Sequence, residues 1–118
     1  MDAATHARLL LRALRRRSEY FPELNAGSPE WAMVLDLLVQ QHRGRRVSVQ
    51  SACLASGAPV TTALRHLGKL VEAGEIVKTA DEKDGRRIFV TLAPEFERRL
   101  RQYLERFAPA EVIRSETR

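Results

Sequence analysis

Apolar positions along this chain recur first at helical spacing and then, past Gly74, at every second residue. Ala7, Leu10, Leu11 and Leu14 form one stripe, with Arg8, Arg12, Arg15 and Arg16 on the other faces. This predicts a helix from about Ala3 to Ser18. So short a helix is marginal alone and needs a packing partner. Tyr20, Phe21 and Pro22 break the pattern. Ser28 is a good N-cap, Pro29 suits the first helical position, and Glu30 complements the positive helix end. In this second helix Trp31, Val34, Leu35 and Leu38 recur at i, i+3, i+4 and i+7, so that face is expected to be buried. The helix fades between Gln41 and Gly44. Arg45-Arg46-Val47 reads as a short extended stretch. Ser48 can cap a third helix with Val49, Ala52, Cys53 and Leu54, and Gly57 ends it with a tight turn. A fourth helix starts at Pro59 and runs to about Ala73, where Gly74 stops it. Its apolar face is read as Val60, Ala63, Leu64, Leu67, Leu70 and Val71.

Beyond Gly74 the reading is extended. Glu75 to Thr79 holds Ile76 and Val77, while Arg87 to Leu92 alternates, with Ile88, Val90 and Leu92 on one side. The polar stretch Ala80 to Arg86 between them contains Asp84-Gly85, a hairpin turn signal. A fifth helix follows from about Pro94, with Phe96, Leu100, Tyr103, Leu104 and Phe107 on one stripe, and Pro109 ends it. Helix, glycine turn, helix and hairpin together describe a winged helix-turn-helix. The fold class is mainly α with a small antiparallel β-wing: about five helices and a two- to three-stranded hairpin sheet. The expected divisions are an N-terminal helix and linker over 1–27, the winged helix-turn-helix over 28–92, a C-terminal helix over 93–108 and a flexible tail over 109–118.

Composition narrows the class. A chain of 118 residues suits one domain, and 44 % apolar residues exclude disorder throughout. The formal net charge of +5 allows nucleic acid, acidic lipid or acidic protein as partners and selects none of them. The single cysteine, Cys53, excludes an intramolecular disulfide and fits a reducing cytoplasm. It reads as a small buried residue of the third helix, and a redox role is the lesser alternative. His6, His42 and His66 are scattered, with no zinc spacing, so no metal or cofactor is expected. No stretch reaches the roughly 18 apolar residues of a membrane span. The Arg-rich, acid-poor start faintly resembles a transit peptide, a minor alternative to the structural helix it reads as. No nucleophile elbow, phosphate-cradling loop or carboxylate cluster stands out, so an enzyme is not expected.

The residues that point to chemistry lie on the fourth helix and the hairpin. In a helix-turn-helix the second helix enters the major groove and offers its N-terminal residues to base edges. Thr61, Arg65 and Lys69 fall four apart on one face, with Thr62 and His66 beside them. Arg65 suits a guanine edge, Thr61 and Thr62 a thymine methyl or a phosphate, and Lys69 a phosphate. The same face also fits an ordinary solvated helix surface. At the hairpin tip, Asp84-Gly85-Arg86-Arg87 sets two guanidiniums on a thin projection. Such a tip can reach a minor groove, where an arginine gains from the negative potential. Asp84 can orient an arginine through a bidentate pair. A tip charged only for solubility is the other reading. Arg43-Gly44-Arg45-Arg46 fits phosphate contacts and a charged loop equally well.

At these residues the chain resembles a family. The run from Ser51 to Ala93, SACLASGAPVTTALRHLGKLVEAGEIVKTADEKDGRRIFVTLA, is similar to the winged helix-turn-helix of the bacterial MarR transcription regulators. The small-residue turn, the Leu64, Leu67 and Leu70 spacing, Gly74 before Ile76, and above all the Asp-x-Arg wing followed by an alternating strand match. The likeness covers about Ser28 to Leu104. It implies a homodimer that binds double-stranded DNA at a pseudo-palindromic site, with the fourth helix in the major groove. Arg86, supported by Asp84, would enter the minor groove, and Arg87 would touch the backbone. The terminal helices would form the dimer through Leu10, Leu14, Leu100, Tyr103, Leu104 and Phe107. The chain departs from the family in its shorter length and in Ala93-Pro94-Glu95, where a Thr with a Gly soon after is usual. A winged-helix adaptor that binds protein is the rival reading, although it has little need for Thr61, Arg65, Lys69 and Arg86 together. Operator, target genes and any small-molecule effector are not legible.

Overall fold

The computed structural model describes residues 2–22, 24 and 28–106, so the expectations placed on Phe107, Pro109 and the 109–118 tail lie outside the described residues. In chain order the elements are α1 (Ala3–Tyr20), α2 (Pro29–His42), β1 (Val47–Ser48), α3 (Val49–Ala55), α4 (Val60–Glu72), β2 (Ile76–Ala80), β3 (Ile88–Leu92) and α5 (Pro94–Arg106). Among the described residues, five helices and a three-stranded antiparallel sheet are the winged helix-turn-helix expected. The chain forms two compact units, Gly27–Glu97 and, from the two ends, Met1–Ala26 with Arg98–Arg118. Among the described residues, no helix is long and apolar enough to cross a membrane.

In the winged unit, α2, α3 and α4 pack on one another and on the sheet. The sheet order is β1-β3-β2. β2 pairs with β3 along its whole length, from Ile76 opposite Leu92 to Ala80 opposite Ile88. β1 meets β3 only at Val47 opposite Val90 and Ser48 opposite Phe89. Met33, Val34, Leu37, Ala52, Ala63, Leu67, Leu70, Ile76, Val90 and Leu92 are buried. Two faces differ from the periodicity reading. On α2 the buried residues are Glu30, Met33, Val34 and Leu37, while Trp31, Leu35 and Leu38 are only half-buried. On α4, Val60 and Leu64 are 62 % and 47 % exposed. The core takes the Ala63, Leu67, Leu70 side of the helix and leaves this flank open.

The caps are mostly as the sequence implies. Ser48 Oγ accepts from the Ser51 N–H at 3.1 Å. Gly57 ends the turn between α3 and α4 at φ +73°, a conformation cheap only for glycine. In the same turn the Ser56 hydroxyl donates to the Cys53 carbonyl at 2.6 Å and accepts from the Ala58 N–H at 3.1 Å. Ser28 has the extended backbone of an N-cap, but its side chain makes no capping bond. The hairpin forms as expected, but Gly85 has no positive φ, so its turn does not use glycine's left-handed freedom. Instead, two aspartates fold the tip onto its own backbone, Asp81 through the Lys83 N–H at 3.0 Å and Asp84 through the Arg86 N–H at 3.1 Å. Gln41 joins three elements: its amide donates to Glu97 at 2.6 Å, and its carbonyl accepts from the Leu92 N–H at 2.8 Å.

In the terminal unit, α1 starts at Asp2, whose carboxylate accepts from the Thr5 N–H at 2.7 Å. That bond holds its carboxyl below the usual range. Phe21 and Tyr103 meet edge to face, with ring centroids 5.6 Å apart, and Arg99 lies over Phe21. The Tyr103 hydroxyl donates to the Ala13 carbonyl at 3.3 Å. Burial raises its phenol, and the Arg17 charge opposes that rise. Leu100 and Tyr103, expected at a dimer contact, are therefore already buried within the single chain, and Leu104 is half-buried. The α1 stripe is not: Leu10, Leu11 and Leu14 are 41–50 % exposed.

Candidate nucleic-acid interface

Helix α4 lies behind the Gly57 turn with its buried side fixed by Ala63, Leu67 and Leu70. At about 100° per residue, the direction opposite that side is occupied by Thr61 and Arg65, with Lys69 next to them. All three are exposed. Thr62 is half-buried on the shoulder. His66 shares that shoulder, but its ring turns inward: Nδ1 lies 2.7 Å from Glu30 Oε1 on α2. Both side chains are mostly covered, at 17 % and 11 % exposure. His66 is thus held to the body of the domain rather than lying loose beside Arg65. Periodicity could not find this pair, whose members are 36 residues apart.

The wing tip, Asp81 to Arg87, holds three acids and three bases, so its arginines act by position rather than by bulk charge. The Arg86 side chain is 94 % exposed. Asp84 Oδ1 accepts from both the Arg86 N–H at 3.1 Å and its Nε at 3.3 Å. The expected bidentate pair is therefore replaced by one oxygen shared between backbone and side chain of the same arginine. Arg87 is exposed, and its backbone closes the loop through Asp84 and Asp81. Arg46, on the loop before β1, stacks its guanidinium 4.1 Å from the Phe89 ring centroid. Of the Arg43–Arg46 run, that side chain rests on the sheet.

Cys53 is buried, and desolvation pushes its thiol up, which suppresses the reactive thiolate. Among the described residues no cluster of His, Cys, Asp and Glu could hold a metal ion. The geometry offers an exposed helix face with hydrogen-bonding and cationic groups, and beside it a projecting arginine.

A helix-turn-helix with a braced β-hairpin wing is the class that these elements define. No protein-family model matches the chain, and no curated protein matches it in sequence. Solved structures do match in fold. NadR in complex with 4-hydroxyphenylacetate aligns over 97 % of this chain and 75 % of its own, with a TM-score of 0.71 at 17 % identity. A point mutant of S. aureus MepR aligns over all of this chain and 85 % of its own, with a TM-score of 0.70 at 13 % identity. BpsR of Bordetella bronchiseptica, whose DNA binding is regulated by 6-hydroxynicotinic acid, aligns over 99 % and 79 %, with a TM-score of 0.53 at 21 % identity. The chain has the winged helix-turn-helix fold of these structures.

Proposed function

We propose that this chain is a sequence-specific regulator of transcription that binds double-stranded DNA as a homodimer. The observation behind this reading is the pairing of two features. One is the exposed Thr61, Arg65 and Lys69 face of α4; the other is Arg86, projecting from the wing and tethered by Asp84. In this reading α4 lies in the major groove, Arg65 meets a base edge, and Lys69 meets a phosphate. Arg86 enters the adjacent minor groove, and Arg87 touches the backbone. Two copies join through the terminal helices, with Leu10 and Leu14 at the contact, and read a pseudo-palindromic site. The fold it shares with BpsR, whose DNA binding is regulated by 6-hydroxynicotinic acid, supports a DNA-binding role.

Selection from a random duplex pool at near-physiological salt tests this. An enriched inverted repeat is the expected result. On the enriched duplex, Arg65→Ala and Arg86→Ala each weaken binding by about 1–3 kcal/mol. Affinity falls steeply as salt rises, because every neutralised phosphate releases counterions. Unchanged affinity in both variants would remove their assigned roles. A protein that retains no duplex would favour the protein-binding adaptor.

A further inference from the structure

The flank of α4 toward the wing is apolar and open. Val60 is 62 % exposed and Leu64 is 47 % exposed. They stand one turn apart, next to Thr61 and Arg65, on the first two turns of the helix. Together with Leu54 of α3, itself 75 % exposed, and Ile88 of β3, they line a groove of about 700 Å³. Lys78, Arg86 and Arg87 line the same groove, with Asp84 as its one acid. Exposed aliphatic groups gathered in one place call for an apolar occupant. Three cations against one acid favour an occupant that is also anionic.

We infer that Val60 and Leu64 are specificity-determining residues that read thymine C5-methyl groups in the major groove. This rests on the reading of α4 as the recognition helix. The chemistry leaves little choice of target. An aliphatic side chain makes no hydrogen bond, and the only apolar group on the major-groove edge of a base pair is the thymine methyl. N-terminal residues of a recognition helix are the ones that reach base edges, and Val60 and Leu64 are at that end. Gly68 follows Leu64 by one turn, and the space where a Cβ would stand is open. The helix therefore offers no obstruction to close approach on that side. The half-site then carries thymines beside the base pair that Arg65 contacts.

Deoxyuridine, which lacks only the C5-methyl, isolates the effect. Each thymine of the duplex enriched by wild-type protein is replaced in turn, and wild type, Val60→Ala and Leu64→Ala are titrated against the set. Wild type is expected to lose about fourfold in affinity at one or two positions, the weight of one buried methyl-sized group. Leu64→Ala or Val60→Ala should lose a similar factor on the thymine duplex and then be indifferent to the replacement at its own position. Both side chains are exposed, so thermal melting of the variants should match wild type. A wild type indifferent to every replacement overturns the inference and leaves the groove to a small apolar anion. Full deoxyuridine sensitivity surviving in both variants overturns it as well. If no duplex is retained at all, the regulator reading fails first, and that result is distinct from binding that ignores the methyl group.

Discussion

Among single residues, one pair fixes how α4 sits. His66 on α4 and Glu30 on α2 meet at 2.7 Å with little exposure. Removing the imidazole leaves a buried carboxylate short of its partner. His66→Ala is therefore expected to cost about 1–3 kcal/mol of folding stability, read from urea denaturation. A change below a few tenths would mean that water replaces the imidazole without penalty. The wing works on the same logic in the open. Asp84 Oδ1 holds the Arg86 backbone and its Nε together. Asp84→Ala should weaken duplex binding less than Arg86→Ala, because it frees the guanidinium without deleting it. Equal losses in the two variants would instead place Asp84 itself at the DNA. Arg86 and Asp84 could be found from sequence because they are two residues apart in a recognisable wing. The His66–Glu30 pair could not, since no local spacing links groups on separate helices.

For helices, strands and turns, punctuation was legible and orientation was less so. Gly57 and Gly74 both adopt positive φ and end helices where the sequence places their ends. Ser48 caps as expected. Gly85 is the exception, since aspartate side chains rather than glycine's freedom build that turn. Gly57→Ala should accordingly cost about 1–2 kcal/mol, the strain of a left-handed alanine. Gly85→Ala should be nearly neutral, having no positive φ and nothing within 4 Å of the new Cβ. Thermal melting of the two variants decides it; a larger loss at Gly85 would contradict the aspartate-built turn. Periodicity announces that a helix has an apolar face but not how far its neighbours extend over it. That is why Met33 and Leu37 are buried where Trp31 and Leu38 were expected, and why Val60 and Leu64 stand open. Gln41 escaped for another reason. A glutamine near a helix end looks solvated until Leu92, 51 residues on, supplies the donor.

For the molecule taken together, an uncovered leucine stripe on α1 and a net charge of +5 are the two global facts with consequences. Leu10 and Leu14 remain half in water in the single chain, whereas Leu100 and Tyr103 do not. Leu10→Glu with Leu14→Glu should convert a dimer to a monomer in sedimentation without unfolding it, because neither side chain is in the core. A wild type that sediments as a monomer would overturn the dimer. The asymmetric bracing of the sheet has a mechanical reading as well. β1 grips β3 at Phe89 and Val90, opposite Thr79 and Lys78 of β2, so the hairpin is clamped partway along and the tip beyond Ile88 extends past the clamp. Local opening is expected to become cheaper toward its free end. Deuterium uptake should then climb along the hairpin, slow at Ile76 and Val90 and fast from Asp81 to Arg87. A tip held in that way can yield under load while the paired strands behind it keep their register.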